Sequence, residues 1–474
     1  MQENKNFDEM LSDESVQAIT SDELLPKLDE LIALIDEKRY TEFVRIISEV
    51  PTADIAELLD EVEEAYRPRF FRLLPKEIAS EVFVDIGSDA QEDIIAGFND
   101  RELASMLEEL YLDDTVDIIE EMPASVVKRI IRNSTHENRS MINQLLHYPK
   151  DSAGTIMTTE YVRFRADMTV REALDHIRSV AIDKETIYTC YVTDPYRRLL
   201  GIVTAKDLLI SSLDTDLSDI MEESVIYVNT TDDKEYVAGK FEKYGFLALP
   251  VVDAEQRLVG IITVDDAIDV IKEEAEEDFA KMAGITPTET PYLKTSVISV
   301  FKSRIPWLLL LMISATVSST ILSFFERNLA SILVLFVPML MDTGGNSGNQ
   351  ASVTLVRGLS LGEVKRADFL KVWWRELRVG LMCGICLGVV AFGKIMLIDH
   401  LIMQNDEVSW LVALVVGVTL SITIMIAKLI GSTLPLIASK IGLDPAVVAS
   451  PFITTSVDAI SLILYYFIAS PFFS

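Results

Sequence analysis

The chain has 474 residues with 42 Lys and Arg against 74 Asp and Glu, a net charge of −32. The excess is all at the front: residues 1–294 carry 30 basic and 64 acidic side chains, and residues 295–474 carry 12 and 10. Such a density of carboxylate repels nucleic-acid phosphate and excludes that partner, which leaves cations or a solvated acidic surface. Three cysteines, Cys190, Cys383 and Cys386, cannot build a disulfide framework. The start MQENKNFDEM lacks the apolar run of a secretory signal, so the front part is expected in the cytoplasm.

After a tail over 1–23, residues 24–150 show apolar side chains at three- and four-residue spacing, the period of short helices. A weak repeat runs through them at Pro51-Thr-Ala-Asp-Ile-Ala-Glu-Leu-Leu, Pro75-Lys-Glu-Ile-Ala-Ser-Glu-Val and Asn99-Asp-Arg-Glu-Leu-Ala-Ser-Met-Leu. That period implies an α-helical superhelix, solenoid-like, in which each helix pair buries its face on the next.

Residues 151–214 and 215–270 form a clearer duplication. Ile156-Met157, Val162 and Arg198-Leu-Leu-Gly201-Ile-Val-Thr204-Ala-Lys-Asp207 are echoed by Ile220-Met221, Val225 and Arg257-Leu-Val-Gly260-Ile-Ile-Thr263-Val-Asp-Asp266. Each copy reads as an α/β unit, and the pair resembles tandem CBS domains. That resemblance implies ATP or another adenine nucleotide in the cleft between the copies, at Tyr188, Thr204, Asp207, Phe246 and Thr263. The alternative is that each terminal Asp only caps the helix that follows it.

A charged helical stretch from Asp269 to Asp278 leads through Gly284, Pro287 and Pro291 into the hydrophobic region, 302–474. Apolar segments at 305–325, 329–356, 377–398, 410–439 and 446–470 are each long enough to span a bilayer. Trp307, Trp373, Trp374 and Trp410 lie at segment ends, where an interfacial aromatic belt belongs. The connection 357–378 holds six Lys and Arg, whereas 399–409 has acids and none, so 357–378 and the front part face the cytoplasm. Five spans put the C-terminus outside. Cys383-Gly-Ile-Cys386 has the spacing of a redox or metal pair, but inside the run LMCGICLGVVAF it reads as close helix packing.

Two membrane segments carry chemistry. Asp458 lies near the middle of the last one, with Thr454 and Thr455 a turn before it. An acid at bilayer depth costs from about 2.5 kcal/mol upward and marks an ion or substrate pathway, unless it is a packing acid bonded to a neighbouring helix. Segment 329–356 is not uniformly apolar: Asp342-Thr-Gly344-Gly345-Asn346-Ser-Gly348-Asn349-Gln-Ala-Ser352 falls in its middle. Such polarity is tolerated where it lines water or is buried in protein. Oxygen ligands without sulfur or imidazole suit a hard cation; the competing reading is Gly/Ser packing with amides as interhelical glue.

The order of parts, with PMLMDTGGNSGNQAS and Asp444-Pro-Ala…Pro451…Thr454-Thr455…Asp458, resembles the MgtE family of magnesium channels and transporters over essentially the whole chain. The resemblance implies a multidomain homodimer in the plasma membrane with an all-α five-helix transmembrane domain. It implies a pore lined by the second and fifth spans, and a helix over 271–301 acting as a plug. Cytosolic Mg2+ sensing would fall to Glu81, Asp113, Asp117, Glu235, Asp266, Asp269, Glu274, Glu277 and Asp278. One departure is Tyr244-Gly245, where the family commonly has Tyr-Asp. An octahedral hydrated ion seldom stripped of its water fits a pore with few charges: Asp458 from each subunit, with amides receiving bound waters. Catalysis has little support, since the four histidines His136, His147, His176 and His400 stand in no motif and no P-loop is present. A sodium- or proton-coupled transporter would also accommodate Asp458, but inverted repeats are missing.

Overall fold

The computed structural model describes residues 26–287, 292, 295–326, 331–448 and 450–473. The tail over 1–23, Pro291 and the start of the second span at 329 lie outside them. Contacts divide the chain into two units, one ending at Ile268 and one beginning at Asp269.

The first unit opens with helices α1 (Leu28–Asp36), α2 (Tyr40–Ile47), α3 (Thr52–Glu61), α4 (Arg67–Arg72), α5 (Lys76–Asp85), α6 (Ser88–Gly97), α7 (Asp100–Leu107), α8 (Leu112–Glu121), α9 (Ala124–Asn133) and α10 (His136–Leu145). The repeat of the sequence is the start of every second helix: Pro51, Pro75, Asn99 and Pro123 are the N-caps of α3, α5, α7 and α9. Pro123 adds a fourth copy that the sequence motif hides, because Ala-Ser-Val-Val replaces the acidic first turn. Helix α3 packs on α5, α4 on α6, α7 on α9 and α8 on α10, so each turn of the superhelix buries the previous one.

The duplicated block folds as two three-stranded sheets of one topology. Strands β1 (Tyr161–Arg165), β2 (Thr186–Thr193) and β3 (Leu199–Thr204) are matched by β4 (Val228–Asn229), β5 (Ala248–Val252) and β6 (Leu258–Thr263); the first pair in each is parallel and the second antiparallel. Helices α11 (Val170–Val180), α12 (Ala205–Ile210), α13 (Leu217–Ile220) and α14 (Lys234–Tyr244) complete the copies. The paired Ile-Met motifs are exchanged between them. A Cβ at Gly201 would meet Met221 and the Glu222 carbonyl, and one at Gly260 would meet Met157 and the Thr158 carbonyl. The segment leading into each copy therefore lies on the other copy's third strand. Tyr161, Tyr191, Ala248, Leu258 and Ile261 form the core between the copies, and the helical domain shares a core with the second copy through Leu249, Ile262 and Ala267.

Helix α15 (Val264–Met282) crosses the boundary between the units. It ends before Gly284, whose φ of 68° favours glycine, so the connecting helix is shorter than 271–301. The second unit holds α16 (Val297–Glu326), the short α17 (Ser331–Val334), α18 (Val337–Ser360), α19 (Phe369–Lys394) with a π-helical extension Ile395–Ile402, α20 (Trp410–Ile441) and α21 (Ser450–Phe473). Among the described residues, four stretches are long and apolar enough to cross a membrane: Val297–Phe325, Phe369–Ile402, Trp410–Ile441 and Ala446–Phe473. Helix α18 has the length, 24 residues or about 36 Å at 1.5 Å per residue, but its polar motif lowers its hydropathy. It runs unbroken through that motif, so the polarity is carried by side chains rather than by opened backbone.

Candidate functional site

Glycines bring α18 against α20 and α21. A Cβ on Gly344 would lie 2.8 Å from Thr423 and 3.1 Å from Val457; one on Gly345 would lie 3.0 Å from Thr454 and 3.8 Å from Asp458 Oδ1. With those faces in contact, the remaining face of the pair carries the polar groups. Asp342, Asn346 and Thr454 are exposed on it, and Asn349, Thr455 and Asp458 are half-buried. The Asn346 amide donates to Asp342 Oδ1 at 3.2 Å. Asp458 Oδ1 and Asn349 Oδ1 are buried and find no hydrogen-bond partner among the described residues. Buried orphan oxygens are expensive, and two of them beside the exposed acid Asp342 form a set of hard-cation or water-binding groups. All seven membrane residues expected from sequence are thus on or beside one seam. Lys428 on α20 is missing from those expectations, although a basic residue near mid-span is visible in the sequence; it is buried, with Nζ 3.5 Å from the Ser347 carbonyl.

The first unit gathers acids from four places: Asp85 at the end of α5, Asp113, Asp114 and Asp117 in α8, Glu160 and Glu185 in the first CBS copy, and Asp265 and Asp266 at the start of α15. Asp113 is 7% exposed, and its Oδ1 has no hydrogen-bond partner among the described residues. Burial raises its pKa well above the usual carboxylate range, and Asp114 and Asp266 add to the shift. Burial followed by Asp266 takes Asp114 to about 7, and burial followed by Asp114 takes Glu185 to about 7. Crowding by neighbouring atoms and Asp266 take Asp117 to about 8, but its side chain is exposed by accessible surface, so solvent screening discounts that shift. Among the described residues, no three His, Cys, Asp or Glu side chains already converge as a metal site. Asp114, Glu160, Glu185 and Asp265 were not legible from sequence because only packing brings them to Asp113 and Asp266. Glu81 and Glu235 are exposed on α5 and α14.

In the second unit, Lys281 Nζ bridges Glu277 and Asp444, 2.7 Å from each. Burial works against its charge, but the two carboxylates outweigh that and hold it at about 12. The Ser360 hydroxyl donates to Asp278 at 3.1 Å, while burial leaves Asp278 raised. Asp269 is exposed and Glu274 half-buried on the same helix.

At the CBS copies, the Thr204 hydroxyl donates to Asp207 at 2.5 Å and Thr263 donates to Asp266 at 2.5 Å. Thr204 and Asp207 form a full capping box, so the capping role is present. Tyr188 is 66% exposed, and Phe246 stacks on Tyr244 at 5.3 Å. Gly245 closes α14 at φ 66°, a left-handed cap that an Asp would fill only under strain.

Family models match the chain in three places: "divalent cation transporter" over residues 337–468, "MgtE intracellular N domain" over 50–151, and CBS domain over 153–214 and 217–273. A magnesium transporter MgtE of Thermus thermophilus is 35% identical over 430 residues, covering 90% of this chain and 93% of its own. The magnesium transporter MgtE of Bacillus subtilis is 30% identical over 463 residues, covering 96% and 99%. The crystal structure of the soluble part of a magnesium transporter superposes on 54% of this chain and all of its own, with 33% identity and a TM-score of 0.50. With relatives 35% and 30% identical across nearly their whole length, and an architecture of helical domain, CBS pair and apolar helices in the same order, the chain belongs to the MgtE family of magnesium transporters.

Proposed function

We propose that two copies of this chain form a Mg2+-selective channel in the plasma membrane, with the conduction path between their α18 and α21 helices at Asp458. The observation that carries this reading is the seam in the membrane unit. Asp342, Asn346 and Thr454 are exposed there, beside the orphan oxygens of Asp458 and Asn349. Lipid cannot solvate such a face, so it needs water, a second copy or both. A two-fold axis along the seam turns Asp458 into a facing pair. The facing carboxylates attract a divalent cation, and amide and hydroxyl groups receive the ion's bound waters. The N-terminal unit lies in the cytoplasm and the C-terminus outside.

Gating is by cytosolic Mg2+. The acids of α8, the first CBS copy and α15 repel one another unless protons or divalent ions sit among them. Mg2+ favours the arrangement in which they are crowded, and its loss lets them part. The connecting segment α15 passes that change toward the pore. An adenine nucleotide at Tyr188, Thr204, Asp207, Phe246 and Thr263 is a second input, its ribose hydroxyls bonding the Asp207 and Asp266 carboxylates that now accept from the threonines.

The test is Mg2+ flux into liposomes, with and without sodium or proton gradients. Asp458→Asn should assemble normally and lose flux by at least about tenfold, because it removes the one acid near the middle of α21. Wild-type flux from a well-assembled Asp458→Asn protein would move the path elsewhere, Asp342 being the next candidate. Flux that follows the sodium or proton gradient would make the protein a coupled transporter.

A further inference from the structure

Lys428 stands eighteen residues into the 32-residue α20, with no other charge in that helix until Lys440. It is 5% exposed. Its ammonium has three donors, yet among the described residues Nζ reaches one polar atom, the Ser347 carbonyl at 3.5 Å, the far limit of a hydrogen bond. A methionine or leucine would fill the same volume without that cost, so packing alone does not account for a lysine.

Its location gives the reason. Ser347 lies between Asn346 and Asn349 on α18, and its neighbour Gly348 is in backbone contact with α20, where a Cβ on Gly431 would come within 2.1 Å of the Gly348 carbonyl oxygen. The ammonium therefore touches the buried side of the helix whose exposed side carries Asp342 and Asn346. On that helix Gly345 packs against Thr454 and comes up to Asp458.

We propose that Lys428 is a positioning residue for conduction, a fixed positive charge behind the polar seam that weakens the hold of Asp342 and Asp458 on the ion and anchors the amide helix. The inference rests on the seam being the conduction path. Two copies would place four carboxylates around a doubly charged ion, a field that binds it tightly and releases it slowly. Two lysines bring the fixed charge to a value that balances one Mg2+. A conducting site must bind strongly enough to admit the ion and weakly enough to let it go. Charge placed outside the contact shell adjusts this without offering the ion a ligand.

The test is the Mg2+ dependence of flux in liposomes holding the full chain. Lys428→Met should lower the half-saturating Mg2+ concentration about tenfold, equivalent to about 1.4 kcal/mol of tighter binding, and lower the maximal flux. Lys428→Arg, which keeps the charge, should stay near wild type. If the Met protein does not assemble, Lys428→Gln provides the same neutralisation with polar character. A well-assembled neutral variant with unchanged half-saturation overturns the inference, including one whose flux falls equally at all concentrations, since that marks packing alone. Should Asp458→Asn conduct normally, the conduction path itself is wrong; should it be inactive while Lys428→Met is unchanged, only the role of Lys428 fails.

Discussion

Asp114 and Glu185 set a pH dependence whose sign follows from their shifts. Their ordinary values lie near 4, and in the folded first unit both are raised to about 7. Folded protein then holds more protons than unfolded chain between those limits, so the stability they confer is full below about pH 4 and is lost as pH rises through about 7. A divalent ion takes the place of those protons. Millimolar Mg2+ should therefore raise the melting temperature of the cytosolic unit by several degrees near pH 8.5 and hardly at all near pH 5.5; equal shifts at both would mean that the acids hold no ion. Lys281 behaves differently. Its pKa is raised to about 12, so the stability of its bridge is intact below its unfolded value near 10.4 and is lost only as pH passes about 12. Between pH 6 and 9 that contact does not titrate. Lys281→Gln leaves Glu277 and Asp444 facing each other without a cation, and a divalent ion should then take the vacated place. Single-channel open probability in this variant should depend more steeply on internal Mg2+ than in wild type, and an unchanged curve would make the bridge incidental to gating.

Helix contacts in the second unit are set by glycine, which makes them testable by size alone. Gly431→Leu forces a side chain into the space of the Gly348 carbonyl, 2.1 Å from where its Cβ must go. Overpacking of this kind costs about 1–3 kcal/mol or more, and the detergent-solubilised protein should melt lower and lose flux. Gly239 is a natural contrast: it lies inside α14 with nothing within 4 Å of its Cβ position. Gly239→Ala should stabilise by about 0.5–1 kcal/mol through helix propensity alone. The same division between local and long-range causes decides what the sequence revealed. The CBS copies were legible because their motifs are strand, turn and cap signals within a few residues of each other, and the repeat of α3, α5 and α7 because a cap residue recurs at their starts. Asp458 was legible because one acid stands out against an apolar run. The partners of the sensor acids were not: Glu185 meets Asp114, and Lys281 meets Asp444, through packing that no local pattern encodes. The span carrying the glycine–asparagine motif stands between these cases, since the polar residues that identify it also dilute the hydropathy that would mark α18 as a membrane helix.

Across the whole molecule, charge and hydropathy separate into a front part that carries nearly all the excess acid and a rear part that spans the membrane. Division of labour follows if the front part supplies the state dependence and the rear part the path. Ligand binding shifts an equilibrium only by its differential affinity for the two states. Mg2+ held by α8, the first CBS copy and α15 can therefore close the pore only while those elements are attached to it. A chain beginning near residue 291 retains the long apolar helices α16 and α18 to α21, but none of these acids. Liposomes containing it should take up Mg2+ at nearly the same rate whether the lumen facing its cytoplasmic side holds millimolar Mg2+ or chelator, whereas the full chain should slow severalfold in Mg2+. Neutralising Asp114, Asp117, Glu185 and Asp266 together in the full chain should weaken inhibition in the same direction but less completely. That change removes both the ion's ligands and the repulsion that opens the channel, and the two losses oppose each other. A truncated chain still shut by internal Mg2+ would place the inhibitory ion inside the pore itself, at the seam of Asp342 and Asp458, and the acidic first unit would then need a task other than sensing.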